Sequence, residues 1–323
     1  MLLRHEPLAP LALVVCLALA CRAERQTPDD VAQAGSTSTS AAEQGFDAAR
    51  WQPPAESDVP DDSLGASIRR GLAIFLHTPD SLPRFAPGHI ACGNCHLNAG
   101  RNVDAAPLTG SHARFPKYLE RAGAVIGLAD RVNYCFTRSL AGTRLPVESR
   151  EMQDILAYIA WLSRDVPVGV RIAGADGLPA MPKLVGDSAR GRALFAGKCV
   201  SCHGVDGQGR VGIPALWGPR SYSVGASMAR QSKAASFIWH NMPLGLGRTL
   251  THQQAYDLAA FVDAQPRPDS PGKEEDWPGG GAPSDAPYAT RGHAAYLPPP
   301  LLPRKNAAGA VVPRPSSVAR SQR

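Results

Sequence analysis

Two short segments constrain this chain more than any other feature. Cys92-Gly93-Asn94-Cys95-His96 and Cys199-Val200-Ser201-Cys202-His203 both read C-x-x-C-H. Two thiols at that spacing reach the two vinyl groups of one porphyrin. The next residue then turns its imidazole toward the iron from the same short helical segment, so the pattern reads as c-type haem attachment. A lone copy would compete with a thioredoxin-like redox pair or half a zinc site. Here each copy follows a G-x-A-x-F stretch, Gly71 to Phe75 and Gly191 to Phe195, so a whole unit is repeated. The expected cofactors are two covalently bound haem c groups, with cofactor-binding residues Cys92, Cys95, His96, Cys199, Cys202 and His203.

Each unit closes on an amphipathic helix. Ile155, Tyr158, Ile159 and Leu162 recur at helical spacing over residues 151–163, and Tyr256, Ala260 and Phe261 over 253–264. Thr251, with Gln254 three residues on, predicts a capping box for the second. Strand signals are scarce. The expected fold is all-α, with two tandem class I-like cytochrome c domains over 51–165 and 186–265. Residues 166–185 form the linker. Only 6% of residues are aromatic, while Gly and Pro number 31 and 30. Porphyrins supply the flat apolar bodies that such thin cores lack, and domains below about 100 residues often need such a staple.

The ends read differently. Arg4 and His5 precede an apolar run from Leu8 to Ala20, shorter than the roughly 20 residues a membrane span needs. With Ala18-Leu19-Ala20 as a cleavage pattern, residues 1–20 are expected to be a signal peptide and the protein to be periplasmic. Cys21 follows at once, so lipidation there competes with plain secretion. Residues 21–50 carry no helical or strand period and read as a disordered tether. Residues 266–323 form a Pro/Gly-rich tail, expected to have no packed core of its own. That tail holds three of the six net positive charges. No basic patch is interleaved with aromatics, so nucleic acid is not an expected partner.

Each iron needs a sixth ligand or an open position, and the choice tunes its potential. In the second unit Met242 stands in a Pro/Gly loop before the closing helix, where small c-type cytochromes place a thioether. Met228 is its rival; His240 and Lys233 are weaker ones. The first unit has no methionine in that region, since Met152 falls inside the closing helix. It offers Cys135 or His112. Of seven cysteines, Cys16 belongs to the signal, Cys21 to the new N-terminus and four to haem. Cys135 remains, 39 residues after His96 and flanked by arginines that favour a thiolate. The metal ligands are therefore expected to be His96 with Cys135 and His203 with Met242. A thiolate lowers the potential of the first centre and a thioether raises that of the second. Arg114, Arg121, Arg131, Arg138 and Arg144 crowd the same stretch, an approach that favours small dianions.

Residues 51 to about 290 resemble the dihaem thiosulfate dehydrogenases, periplasmic c-type cytochromes that form tetrathionate. The resemblance rests on Cys92-Gly-Asn-Cys-His-Leu-Asn-Ala-Gly100 and on Asp130-Arg-Val-Asn-Tyr-Cys-Phe-Thr-Arg-Ser139. It extends through Glu151-Met152, Pro214-Ala-Leu-Trp-Gly218, Asn241-Met-Pro-Leu-Gly245 and Pro266-Arg-Pro-Asp269. It implies Cys135 as the ligand of an active-site haem, Met242 as ligand of an electron-transfer haem, and Arg131 and Arg121 beside the first. Some relatives carry lysine before that methionine and exchange ligands; Asn241 stands there instead, so no such switch is expected.

The implied function is 2 thiosulfate → tetrathionate + 2 electrons, or the reverse, with catalytic residues Cys135, Arg131 and Arg121. The implied partners are thiosulfate, tetrathionate and an electron acceptor such as a small cytochrome c. Two rival readings stand beside it: a non-enzymatic dihaem electron-transfer cytochrome, and a haem enzyme acting on another sulfur compound or on peroxide.

Overall fold

A computed structural model describes residues 45–293. The signal peptide, Cys21, most of the tether and the tail after residue 293 lie outside the described residues. Helices dominate. The longer ones are α1 (Ser63–Leu76), α2 (Leu128–Arg138), α3 (Arg150–Trp161), α4 (Ser188–Lys198), α5 (Gln231–Asn241) and α6 (His252–Asp263). The one sheet among the described residues is a hairpin of β1 (Lys117–Leu119) and β2 (Ala124–Ile126), antiparallel with Tyr118 opposite Val125. None of these helices is long and apolar enough to cross a membrane.

The repeated G-x-A-x-F stretch has one physical meaning in both units. It sits on α1 and α4, which cross the closing helices α3 and α6. A Cβ at Gly71 would overlap the Asp154 carbonyl, and a Cβ at Gly191 would overlap the Asp257 carbonyl. Only glycine lets the two backbones approach this closely. Four residues on, Phe75 packs on Tyr158 with ring centroids 5.6 Å apart, and Phe195 packs on Phe261 at 5.4 Å. One residue before each glycine, an arginine grips the closing helix. Arg70 donates from Nε and Nη2 to Asp154, both at 2.7 Å. Arg190 donates likewise to Asp257 at 2.8 and 3.0 Å. The expected Thr251 cap forms: Thr251 Oγ1 accepts from the Gln254 amide at 3.1 Å, and Gln254 Oε1 accepts from the Thr251 amide at 2.9 Å.

The two units share a core. Tyr222, Ala226 and Ala229, which precede α5, are buried in one cluster with Ile74, Phe136 and Met152 of the first unit. The Ser223 amide donates to the Ser139 carbonyl, and Asn102 Nδ2 donates to Asn241 Oδ1 at 3.0 Å.

The segment after Pro266 departs from the expected tail. Up to His293 it is folded against both units, and it carries a small core cluster built largely from its own residues. Trp277, Ala286 and Tyr288 are buried together, with Val224 and Ala282 against them. Ser270, fully buried, donates from Oγ to the Thr137 carbonyl at the end of α2. Composition alone missed this, because a few apolar residues spread over a Pro/Gly-rich stretch form a cluster only once the fold brings them together beside Val224.

Two outcomes follow for stability. Gly191→Ala forces α4 away from α6 and should destabilise the holoprotein by about 2–3 kcal/mol, measured by denaturant unfolding. Burial opposes ionisation of Asp154 and Asp257, but their hydrogen bonds to Arg70, Ser67, Arg190 and Gln253 outweigh it and hold both carboxyls below the usual range. A depressed carboxyl pKa stabilises above the unfolded value near ~3.9 and loses that contribution as pH falls through the folded value. The gap in Tm between the protein and its Asp257→Asn variant should therefore be widest near neutrality and close below about pH 4.

Candidate active site

His96 ends the single helical turn Cys92–Cys95 and His203 ends the turn Val200–His203. Each imidazole is tied at Nδ1 to a backbone carbonyl: His96 to Ala106 at 2.6 Å, His203 to Pro214 at 3.1 Å. A carbonyl can only accept, so the proton sits on Nδ1. Nε2 is then the unprotonated nitrogen, the tautomer an iron ligand requires. In the first unit Cys92 packs in the cluster of Ile68, Phe75, Tyr158 and Trp161. The buried Trp161 indole N–H has no protein acceptor, which suits the acidic edge of a porphyrin. These residues fit haem c in both units.

Cys135 lies on α2, near enough to His96 for the imidazole to act on its thiol. The motif cysteines differ from it electrostatically. Burial pushes the Cys92 thiol up to about 11 and that of Cys95 up to about 12. Burial acts on Cys135 in the same direction. There the Arg131 guanidinium, one helical turn away, and His96 overcome it and bring the thiol down to about 6. Arg131 Nη1 donates to Cys135 Sγ at 3.1 Å. His96 through Nε2 and Cys135 as a thiolate are the residues that would hold the iron of a bound haem.

Arg131 also lines a cavity of about 380 Å³. Lys117 on β1, Arg121 in the hairpin turn, Arg131 and Arg138 on α2, and Arg230 before α5 all border it. Their field is strong enough to act on one another. Burial, then Arg114, Arg131 and Arg171, hold the Lys117 amine below its usual range. Arg230 is paired with Asp285 at 2.8 Å, while Arg121 and Arg138 share Asp276. Arg131 and Lys117 have no carboxylate within ion-pair distance among the described residues. A cavity with unbalanced cations, joined through Arg131 to a thiolate, is built for small anions.

Comparison with known proteins bears on this geometry. The family profile described as SoxA/TsdA, cytochrome c domain, matches residues 85–168, and that of cytochrome c matches 188–265. The thiosulfate dehydrogenase of Psychrobacter arcticus is 39% identical over 251 residues, covering 75% of this chain and 77% of that protein. That of Allochromatium vinosum is 43% identical over 226 residues, covering 67% and 83%. The chain belongs to the thiosulfate dehydrogenase family. The solved thiosulfate dehydrogenase TsdBA of Marichromatium purpuratum matches with a TM-score of 0.65 at 34% identity, over 69% of this chain. This chain spans 50% of the length of that one.

This family member thus has two cytochrome c domains with two c-type haems. The structure brings His96, Cys135 and Arg131 together. Arg121 reaches the same cavity, but most of its guanidinium is engaged: Nε donates to Asp276 at 2.8 Å, and Nη2 donates to the Gly225 carbonyl and the Tyr288 hydroxyl. Met242 caps the C-terminal end of α5, immediately before the Pro/Gly loop. Of the rivals, Met228 packs among apolar side chains of two clusters, and His240 Nδ1 donates to the Ser236 carbonyl at 2.8 Å. His112 is exposed and Met152 is fully buried in the core of the first unit.

The residues that sequence reasoning missed are Lys117, Arg230, Asp276, Trp277 and Tyr288. One signal was available. Trp277 and Tyr288 are scarce aromatics placed in a Pro/Gly-rich segment, where a solvated tail has no use for them.

Ligation is testable by low-spin EPR of the oxidised protein. Cys135→Gly should remove the signal of a thiolate-ligated haem and leave that of the second haem in place, whereas Met242→Gly should do the reverse. A thiolate signal that survives Cys135→Gly would remove this cysteine from the iron.

Proposed function

We propose that this protein oxidises thiosulfate to tetrathionate outside the cytoplasm and passes the electrons to a small cytochrome c or similar acceptor. The reaction 2 S₂O₃²⁻ → S₄O₆²⁻ + 2 e⁻ joins two sulfane sulfurs in one S–S bond, each giving up one electron. No proton moves. The observation that carries the reading is Arg131, which lines the cation-bordered cavity and donates to the Cys135 thiol, favouring its thiolate.

The residues account for what such a reaction demands. Two dianions repel, and bringing them together requires fixed positive charge in a site shielded from water. Arg131 and Lys117 provide charge that no protein carboxylate cancels. Arg121 adds the part of its guanidinium that the protein leaves free. The fork of an arginine matches the oxygens of a sulfonate group as it matches phosphate. The absence of a proton in the equation agrees with a cavity where five cations border a single acid, Glu120. Bound haem supplies two one-electron acceptors, one per unit. The shared core around Tyr222, Ala226 and Ala229 keeps the two units in fixed relation. A plain electron carrier has no use for a cavity of this charge, which supports an enzyme over a relay.

The apolar run before Cys21 and the attachment of haem c both support an exported protein. Intact-mass measurement of the mature chain would reveal a lipid on Cys21.

The deciding experiment is reduction of an electron acceptor by the purified holoprotein with thiosulfate as sole donor. Tetrathionate should appear in proportion to the electrons transferred. Cys135→Gly should lower turnover on the order of a hundredfold or more with both haems still attached. Failure of the unaltered protein to reduce the acceptor with thiosulfate would sink the reading. Full turnover by Cys135→Gly would demote the cysteine to a structural part.

A further inference from the structure

A buried carboxylate is the wrong charge for a dianion site, yet one lies behind this cavity. Asp276 is 2% exposed and is held at three points. Its Oδ2 accepts from Arg121 Nε at 2.8 Å and from the Tyr288 hydroxyl at 2.7 Å. Both of its oxygens lie 3.1 Å from Arg138 Nε. Arg138 is committed at all three nitrogens, since Nη1 and Nη2 also donate to the Pro271 and Gly272 carbonyls at 2.9 and 2.8 Å. Arg121 is held differently. Nε and Nη2 are taken by Asp276, Tyr288 and the Gly225 carbonyl, and its guanidinium lies over the Trp277 ring at 5.0 Å. Among the described residues no acceptor is engaged by its Nη1, and the residue lines the cavity.

We propose that Asp276 is a positioning residue of the anion site: it fixes the Arg121 guanidinium in one orientation, and segment 270–288 thereby forms part of the thiosulfate pocket. This rests on the reading of the cavity given above. A free arginine carries rotamer entropy that is lost each time it clamps a ligand. An arginine already pinned by a carboxylate, a hydroxyl, a carbonyl and an aromatic ring loses little more on binding. Arg138 shares the buried carboxylate with Arg121 from its other side. The backbone makes the same connection: the Trp277 amide donates to the Arg121 carbonyl at 2.9 Å, tying the segment to the hairpin turn itself. Trp277 and Tyr288 then stand as walls of the cavity.

Charge and position predict opposite results, which makes the idea testable. Asp276→Asn adds one net positive charge to the region. If charge alone mattered, the KM for thiosulfate would fall. Positioning predicts that KM rises about tenfold, the loss expected when a hydrogen bond to a charged group is removed, with kcat changed less than about twofold. Tyr288→Phe leaves every charge in place and should raise KM about threefold. The EPR signal of the thiolate-ligated haem should be unaltered in both. Should Asp276→Asn fail to yield holoprotein, Tyr288→Phe carries the test alone. An unchanged or lowered KM, even with reduced thermal stability, would show that Asp276 only fastens the segment and would overturn the proposal. Arg131→Gln run alongside separates the two layers. If it too leaves KM unaltered, the cavity is not the thiosulfate site; if it raises KM while the Asp276 and Tyr288 variants do not, only the positioning role fails.

Discussion

An imidazole whose Nδ1–H donates to a carbonyl can meet iron only through Nε2, and its plane is fixed by that bond. His96 and His203 are both in this state, held by Ala106 and Pro214. Much of the architecture serves to keep a porphyrin-sized slot against those two rings. Gly71 and Gly191 let the opening and closing helices of each unit cross at backbone contact, and the paired Arg70–Asp154 and Arg190–Asp257 bonds lock the crossing. Phe75 and Phe195 then fill the angle between helices beside the haem motif.

On this repeated frame the two units diverge through charge. A buried thiol is ordinarily neutral, as burial alone makes Cys92 and Cys95. Cys135 is turned the other way by Arg131 and His96. The same guanidinium borders the cavity, so the group that stabilises the thiolate also presents positive charge to an incoming anion. One arginine thus links the iron ligand to the substrate side, and a change at Arg131 should be felt at both.

The cavity is closed by a part of the chain far from the haem motifs. Segment 270–288 covers the end of α2 and the β1–β2 hairpin, places Trp277 and Tyr288 at the cavity, and buries Asp276 between two arginines. Its polar groups are satisfied by both units: Ser270 by the Thr137 carbonyl and the Pro271 and Gly272 carbonyls by Arg138 of the first, Asp285 by Arg230 and Ser232 of the second. A segment rich in proline and glycine cannot fold alone, but it can be laid down on a surface that supplies the missing partners.

The cysteine spacing determined the cofactor and its two attachment points, because thioether geometry admits little else. Helical periodicity placed the closing helices to within a residue or two, and the Thr251 capping box was legible from its own four residues. The count of thiols singled out Cys135, since every other cysteine had a use. All of these are local or arithmetical properties, and a sequence carries them openly. What only the tertiary structure decided was which charges meet. Arg114, Arg121, Arg131, Arg138 and Arg144 look equivalent along the chain; Arg131 alone donates to Cys135, Arg138 is consumed by Asp276 and two carbonyls, and Arg144 pairs with Asp130 at the surface. Arg121 meets its partners 104 to 167 positions away. No periodicity encodes such a contact, because ion pairing depends on distance in space and falls away within a few ångströms, while the chain fixes only distance along itself.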